Sequence, residues 1–141
     1  MTSKAEGGWQ ILERLGPNNP EIVRVVRRLP ESAVRARFPV LLEVRWGYRS
    51  LPNGLPIEAE LIYARTLYAE LGKIVGQNGI HAMTRTGDGG RTIYYYIASA
   101  DPIRDSVRRF FDAQPPISVS VSARADPDWR VVKQVLNETI E

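Results

Sequence analysis

The sequence has 141 residues, of which 43% are hydrophobic, 25% charged and 9% aromatic, proportions typical of one globular domain in water. It contains no cysteine and one histidine, which excludes disulfides, thiolate nucleophiles and metal sites built from cysteine or from several histidines. The formal charge is +3, which is small compared with the charge of dedicated nucleic-acid-binding proteins. We expect no cofactor.

The N-terminal residues 1–8 are polar and lack the apolar stretch of a signal peptide. No apolar run approaches the roughly 20 residues that cross a bilayer. We therefore expect a single cytoplasmic domain over residues 1–141 with no membrane attachment. Basic residues are concentrated in the first third of the chain, as Arg24, Arg27, Arg28, Arg35, Arg37, Arg45 and Arg49.

Two short strands are predicted near the N-terminus. Residues 8–15 and 21–28 are rich in strand formers, and the turn-forming residues 16–20 separate them. This pattern predicts an N-terminal hairpin within residues 8–29. Residues 30–37 are polar and basic, and we interpret them as a connector.

The clearest strand and the longest helix follow. Over residues 39–48 apolar side chains alternate with partly polar ones, which predicts a strand with one buried face. The buried face contains Val40, Leu42, Val44 and Trp46, and the opposite face contains Leu41, Glu43 and Arg45. Over residues 57–75 apolar side chains recur at helical spacing, as Ile57, Leu61, Ala64, Leu67 or Tyr68, Leu71 and Ile74. Pro56 suits the first helical position and Gly76 suits the end of the helix.

Residues 79–86 and 91–98 are predicted to form two strands around the sequence Gly87-Asp88-Gly89-Gly90. A tight hairpin turn is favoured, because Asp-Gly tolerates the positive φ that such a turn needs. The alternative, a glycine-rich phosphate loop, lacks the expected Lys and Ser/Thr and would join a strand to a helix. In the first strand His81, Met83 and Arg85 alternate with Ile80, Ala82 and Thr84, and neither set is clearly core.

The C-terminal third predicts a helix, a strand and a second helix. Asp101-Pro102 begins the first helix, with Asp101 as the cap and a stripe of Ile103, Val107 and Phe110, and Gln114-Pro115-Pro116 ends it. Residues 117–124 alternate apolar side chains with Ser118, Ser120 and Ser122. Asp126-Pro127-Asp128-Trp129 begins the last helix, within residues 126–140, with Trp129, Val132, Leu136 and Ile140 on one side.

The order of elements over residues 39–124 is strand, helix, strand, strand, helix, strand. This order predicts an α+β fold with a ferredoxin-like split βαββαβ core, in which both helices cover one face of an antiparallel sheet. Strands 39–48 and 91–98 are then neighbours. The N-terminal hairpin and the C-terminal helix are additions to this core.

Several of these segments together resemble a known family. Residues 92–97 (Thr-Ile-Tyr-Tyr-Tyr-Ile), the Asp101-Pro102 helix start, the alternating strand and residues 126–129 resemble the bacterial family catalogued as domain of unknown function 695, over about residues 39–137. They are similar, more distantly, to the regulator of ribonuclease activity B family. The first resemblance implies no known activity, and the second implies a small protein that binds and restrains a ribonuclease. The basic charge of this chain departs from that regulator type.

One sheet face of the predicted core is left without helices. The strand alternation places Tyr94 and Tyr96 on this open face, beside Glu43, Arg45 and Arg124. Tyrosine rings give flat contact area and arginine gives charge, so these residues form a candidate binding platform. We favour the simpler interpretation for these side chains, that they cover the sheet or pack against the hairpin or a second copy, because cross-strand aromatic pairs stabilise a sheet in any case. We predict a non-catalytic binding or regulatory module whose partner is an unidentified protein or the chain itself.

Two other functions stay open. An RNA-binding domain would use Tyr94, Tyr96 and the N-terminal arginines, since residues 90–97 loosely resemble the aromatic strand of RNA-recognition domains. Against this, Tyr95 replaces the small residue of that pattern, and the carboxylate of Glu43 repels phosphate. An enzyme with an unrecognised pocket is the third possibility. No catalytic or metal-binding residue is predicted, because Asp126 and Asp128 fit a helix cap and His81 has no evident partner. Asp88 lies in the hairpin turn.

Overall fold

A computed structural model describes residues 2–6, 8–15, 19–114 and 117–138, which form a mixed α/β fold around an open antiparallel sheet. The strands are β1 (Thr2–Glu6), β2 (Trp9–Leu15), β3 (Pro20–Val26), β4 (Val40–Gly47), β5 (Gly79–Gly87), β6 (Gly90–Ile97) and β7 (Val119–Ala125). The helices are α1 (Ser32–Arg37), α2 (Glu58–Val75), α3 (Ala100–Asp112) and α4 (Arg130–Asn137). Within these residues no helix combines the length and apolar character needed to span a bilayer.

The strands are ordered β1-β2-β3-β5-β6-β4-β7 across the sheet. The predicted N-terminal hairpin is confirmed as β2 and β3, whose register runs from Trp9 opposite Val26 to Leu15 opposite Pro20. Of its predicted turn, residues 16–18 lie outside the described residues. Strand β1 adds a further edge strand that the polar N-terminal sequence did not predict.

Residues 30–37, which we expected to be a connector, contain helix α1, so that prediction is wrong. The helix has six residues and begins after Glu31 with no side-chain cap, which leaves little local signal in the sequence. Val34 and the following Phe38 pack into the core on one side of the sheet. Tertiary packing therefore stabilises a helix that its own sequence only weakly favours.

The pairing predicted for the central strands is confirmed. Strand β4 lies beside β6, with Val40 opposite Ile97 and Gly47 opposite Gly90. Strands β5 and β6 form the predicted hairpin, in which Asp88 and Gly89 have φ of 50° and 76°. Positive φ at both turn residues matches the twist of a two-residue hairpin.

Helices α2 and α3 lie on the same side of the sheet, which we call the inner face. Their buried side chains pack against the inward side chains of β4 and β6. The residues of this core are Leu42, Val44, Trp46, Ala64, Leu67, Leu71, Val75, Ile93, Tyr95, Ile97, Ile103, Val107 and Phe111. The predicted alternation of β4 and the shared face of the two helices are therefore confirmed.

The ends of α2 follow the prediction with one shift. Its N-cap is Ile57, so Pro56 precedes the cap and does not occupy the first helical position. Gly76 ends the helix with φ of 52°, as predicted. Leu61, expected in the buried stripe, is 43% exposed and borders a surface groove.

The start of α3 also differs from the prediction. Its N-cap is Ser99, and Asp101 lies in the first turn, where it accepts a hydrogen bond of 2.6 Å from Arg104. Phe111 is buried where Phe110 was expected to be. Of the sequence Gln114-Pro115-Pro116, the two prolines lie outside the described residues.

The opposite face, which we call the outer face, is partly covered by α1 and α4. Asp126 accepts hydrogen bonds from the backbone amides of Arg130 (2.9 Å) and Val131 (3.2 Å), so its carboxylate binds the first turn of α4 as a cap would. The predicted helix start at residue 126 is wrong, because α4 begins at Arg130, and Asp128 is exposed beside Arg130. Trp129 is the N-cap residue, with φ of 56°, and its side chain is fully buried. Ile140 lies outside the described residues. The core of this face contains Leu12, Val23, Val25, Phe38, Leu41, Ala82, Met83, Tyr94, Tyr96, Trp129, Val132 and Val135.

Candidate functional site

Tyr94 and Tyr96 lie on the outer face, and Tyr95 packs into the inner core, as the strand alternation predicted. The expectation that both tyrosines are open to a partner is wrong. Tyr96 is fully buried, because Trp129 at the start of α4 stacks on its ring with centroids 4.0 Å apart. Tyr94 keeps 8% exposure. Of the two rings proposed for the platform, only Tyr94 reaches the surface.

The hydroxyl of Tyr96 has a structural partner. It donates a hydrogen bond of 2.7 Å to Oδ2 of Asp126, the carboxylate that caps α4. Burial, together with that hydrogen bond and the negative charge of Asp126, raises the pKa of Tyr96 above its ordinary value. The side chain is therefore a neutral donor inside the protein.

The uncovered part of the outer face contains a cleft of about 190 Å³ near the β5–β6 turn. We call it the outer-face cleft, and its lining residues are Glu21, Arg45, Arg85, Gly87, Gly90, Thr92 and Tyr94. Strand register brings them together, since Arg45 lies opposite Thr92 and Thr92 lies opposite Arg85. Two residues of the predicted platform, Arg45 and Tyr94, are thus part of one concave site.

Arg45 is held at the cleft by its neighbours on β6. Its Nη1 donates to Oγ1 of Thr92 at 3.1 Å. Its guanidinium lies against Gly90, where an added Cβ would be 2.2 Å from Nη2. Among the described carboxylates, none lies within ion-pair distance of Arg45. The cleft therefore contains an oriented cation whose charge is not balanced by a neighbour.

The second cation of the cleft is paired. Nη2 of Arg85 contacts both carboxylate oxygens of Glu21, at 2.8 and 3.1 Å, and Arg14 donates to the same carboxylate at 3.1 Å. Burial alone lowers the pKa of Arg85, but the hydrogen bond and charge of Glu21 outweigh it and raise that pKa. For Tyr94, burial raises the pKa of the hydroxyl and the charge of Arg85 opposes the change.

Glu43 and Arg124 lie beside the cleft and do not line it. Nη2 of Arg124 donates to Oε1 of Glu43 at 3.3 Å, and Glu43 is opposite Tyr94 in the β4–β6 register. The arginine side chain is 62% exposed, so this pair contributes at most about 1 kcal/mol to stability. Of the five residues predicted for the platform, Arg45 and Tyr94 thus line the cleft, Glu43 and Arg124 form an ion pair next to it, and Tyr96 lies outside it.

His81 lies on the other side of the sheet, in an aromatic cluster. Its ring centroid is 4.9 Å from that of Trp9, 5.3 Å from Tyr95 and 6.0 Å from Tyr68. Nε2 is 2.7 Å from Oγ1 of Thr84. Burial lowers the pKa of His81 to about 4, so the imidazole is neutral at pH 7. In the part of the chain described, no three His, Asp or Glu side chains are grouped to hold a metal ion.

Sequence reasoning missed Glu21 and Arg85 as members of the site. The pairing register shifts between His81 and Met83, so the simple alternation of β5 breaks there. Met83 and Arg85 consequently share the outer face, while His81 faces inward. No signal in the sequence identified Glu21, which reaches the cleft because β3 pairs with β5.

Comparison with known proteins gives one match. The profile of the family of unknown function DUF695 matches residues 8–137, which extends the resemblance predicted from the sequence to include the N-terminal hairpin. The more distant similarity to the regulator of ribonuclease activity B family is not shown. Comparisons with curated proteins and with solved structures found no match.

Proposed function

This chain belongs to the family of unknown function DUF695, and we propose that it is a non-catalytic protein-binding module whose partner places an acidic side chain in the outer-face cleft. One observation carries the proposal: Arg45 is oriented by Thr92 and Gly90, lines a concave site, and has no described carboxylate partner. A carboxylate from a partner would form a charge-assisted, two-point contact with that guanidinium. Tyr94 lines the same cleft and keeps 8% exposure.

The mixed charge of the cleft favours a protein over RNA. Glu21 lines the site and Glu43 lies next to it, and their charges oppose a single carboxylate less than they oppose a phosphate backbone, which carries one negative charge per nucleotide. Single-strand RNA binding on a sheet uses two or three stacked bases, each on an exposed ring. With Tyr96 beneath Trp129, one ring of that arrangement is unavailable. RNA binding is the second candidate function, and the concentration of arginines in the first third of the chain supports it.

Further parts of the proposal rest on the fold and the sequence. We include a ferredoxin-like core over β4-α2-β5-β6-α3-β7, supported by the strand order β5-β6-β4-β7 and by both helices packing on the inner face. A regulatory role, a bacterial source and a cytoplasmic location rest on the sequence and the resemblance alone. An enzymatic role is disfavoured because the lone imidazole, His81, is neutral and enclosed by rings.

A peptide titration followed by backbone amide NMR tests the proposal. The probes are a short glutamate-rich peptide, its glutamine counterpart and an oligouridylate of eight nucleotides. We expect the glutamate peptide to shift the amide signals of Gly90, Thr92 and Tyr94, and the glutamine peptide to leave them in place. Arg45→Gln should weaken binding at least about tenfold, the loss expected for one charge-assisted contact.

Arg130→Gln is the matched control, because Arg130 is an exposed arginine at the start of α4. It should bind the glutamate peptide as the wild-type chain does. Equal binding by Arg45→Gln and wild type would overturn the assignment of the cleft. Tighter binding of the oligouridylate than of the peptide, weakening steeply with salt, would establish the RNA alternative.

A further inference from the structure

A second concave site lies on the inner face, separate from the outer-face cleft. It is a groove of about 260 Å³ between the β4–α2 loop, the start of α2 and the inner side of β3, β5 and β6. We call it the Arg91 groove, and its lining residues are Ile22, Leu51, Leu55, Pro56, Leu61, Thr86 and Arg91. The inference drawn from it is independent of the proposed protein-binding function.

The walls of the groove are unusually apolar for a surface. Four large hydrophobic side chains are exposed among the described residues, and three of them line this groove: Ile22 (37%), Leu51 (47%) and Leu61 (43%). Contiguous exposed apolar area of this kind marks a binding site more often than scattered single residues do. The sequence pattern predicted that Leu61 belongs to the buried stripe of α2, but its side chain instead forms part of this wall.

Arg91 supplies the charged group of the groove. It is 9% exposed, and its Nε is buried with no hydrogen-bond partner. Among the described residues, its side chain makes one hydrogen bond, a long contact of 3.4 Å from Nη1 to the hydroxyl of Tyr68, and the guanidinium lies 5.7 Å from the centre of that ring. Among the described residues no carboxylate pairs with it. A buried cation with unused donors strongly favours an anion that reaches it.

We propose that the Arg91 groove binds a small monocarboxylate with an apolar chain. The carboxylate would accept hydrogen bonds from the guanidinium, and the chain would lie along Leu51, Leu55 and Leu61. The volume is just below the range of about 300–1,000 Å³ that small-molecule sites usually have, so a short chain fits and a long-chain lipid does not. Small-molecule sites are also usually lined by apolar side chains with a few polar groups, as this groove is.

Calorimetric titration with sodium octanoate tests this assignment. We expect saturable binding at one site, and binding at least about tenfold weaker for acetate, which lacks the chain, and for octyltrimethylammonium, which has the opposite charge. Arg91→Gln should weaken octanoate binding at least about tenfold. Leu61→Ser should also weaken it, and because Leu61 is exposed, this variant keeps the test valid if Arg91→Gln folds poorly.

Arg65→Gln is the matched control, since Arg65 is an exposed arginine on α2 outside the groove, and it should bind octanoate as wild type does. Octanoate affinity unchanged in both Arg91→Gln and Leu61→Ser would overturn the proposal, as would equal binding of octyltrimethylammonium. A leucine-ending peptide with a free carboxylate that bound at least tenfold tighter than octanoate would overturn the small-molecule assignment. Loss of octanoate binding in Arg45→Gln would also contradict it, because Arg45 lies on the other face.

Discussion

The ring of Tyr96 lies flat against the indole of Trp129, with centroids 4.0 Å apart and planes inclined by 8°. Both side chains are fully buried. The Trp129 indole also donates from Nε1 to the backbone oxygen of Phe38 at 3.0 Å, and the Tyr96 hydroxyl donates to Asp126. These contacts join β6, the start of α4 and the end of α1, so the aromatic strand is part of the protein's interior at this point.

The first prediction concerns the hydrogen bonds of Asp126. Asp126→Ala removes the acceptor of the Tyr96 hydroxyl and of two backbone amides of α4, and should lower the free energy of unfolding by about 2–4 kcal/mol. Tyr96→Phe should cost about 1 kcal/mol. Urea unfolding of both variants and of the double variant measures the coupling, which we expect to be about 1 kcal/mol. Strictly additive losses would contradict a direct bond between the two side chains.

The second prediction contrasts two glycines of the sheet. An added Cβ at Gly79 would be 2.7–2.8 Å from Val75, Ile97 and the backbone oxygen of Tyr96, so Gly79→Ala should destabilise the protein by about 1–3 kcal/mol. At Gly90 the three atoms nearest to the added Cβ all belong to the flexible end of Arg45. Gly90→Ala should therefore change the unfolding free energy by less than about 1 kcal/mol while weakening binding of the glutamate peptide.

Thermal unfolding and the NMR titration together measure this contrast. Gly79→Ala, if it folds, should retain peptide binding, because its new methyl group lies away from the cleft. A Gly90→Ala variant that binds the peptide as well as wild type would show that the placement of Arg45 is unimportant for binding.

The third prediction concerns pH and His81. Burial lowers the pKa of this imidazole from 6.5 to about 4 in the folded state, so between these pH values the unfolded chain binds more protons. The stability linked to His81 is therefore fully present above pH 6.5 and is lost as the pH falls toward 4. The loss should reach about 2–3 kcal/mol.

Urea unfolding at several pH values, with His81→Gln as the reference, isolates this contribution from that of the carboxylates. Because the sequence has one histidine, its imidazole proton signal in NMR also gives the folded-state pKa directly. A titration midpoint near 6.5 would show that the aromatic cluster does not exclude water from the ring.

The fourth prediction uses the β5–β6 turn. Gly89 has φ of 76°, a conformation that costs other residues about 1–2 kcal/mol, so Gly89→Ala should destabilise the protein by roughly that amount. Gly72, inside α2, has open space where a Cβ would be added. Gly72→Ala should instead stabilise by up to about 1 kcal/mol, because alanine favours a helix. Stabilisation by both changes would contradict the turn conformation.

Patterns within single segments of the sequence were sufficient to predict much of the fold. The alternation of β4 identified its buried face, and helical spacing identified α2, because these periodicities follow from the side-chain geometry of one element. The Asp-Gly turn was equally readable, since positive φ restricts the residues that fit. These features depended on one segment alone, but so did the starts of α2 and α3, and each of those differs from its prediction.

The candidate site depended on contacts between segments, and these were harder to predict. The amphipathic pattern of α4 indicates that the helix buries one face, but it does not indicate that the start of the helix covers Tyr96. The register shift at His81 moved Arg85 onto the outer face, which no alternation rule anticipates. Arg91 is a charged residue in a strand, and its burial in the lining of an apolar groove is visible only once the β4–α2 loop is in place.

The position of α4 also affects how the chain folds as it is synthesised. Its contacts with Tyr96 and Phe38 bridge distant parts of the chain, and a fold rich in such long-range contacts forms slowly. Until residues 126–137 leave the ribosome, the apolar surface around Leu41 and Tyr96 has no cover from α4. We therefore expect products truncated before Asp126 to expose this sheet face and to aggregate more readily than the whole chain.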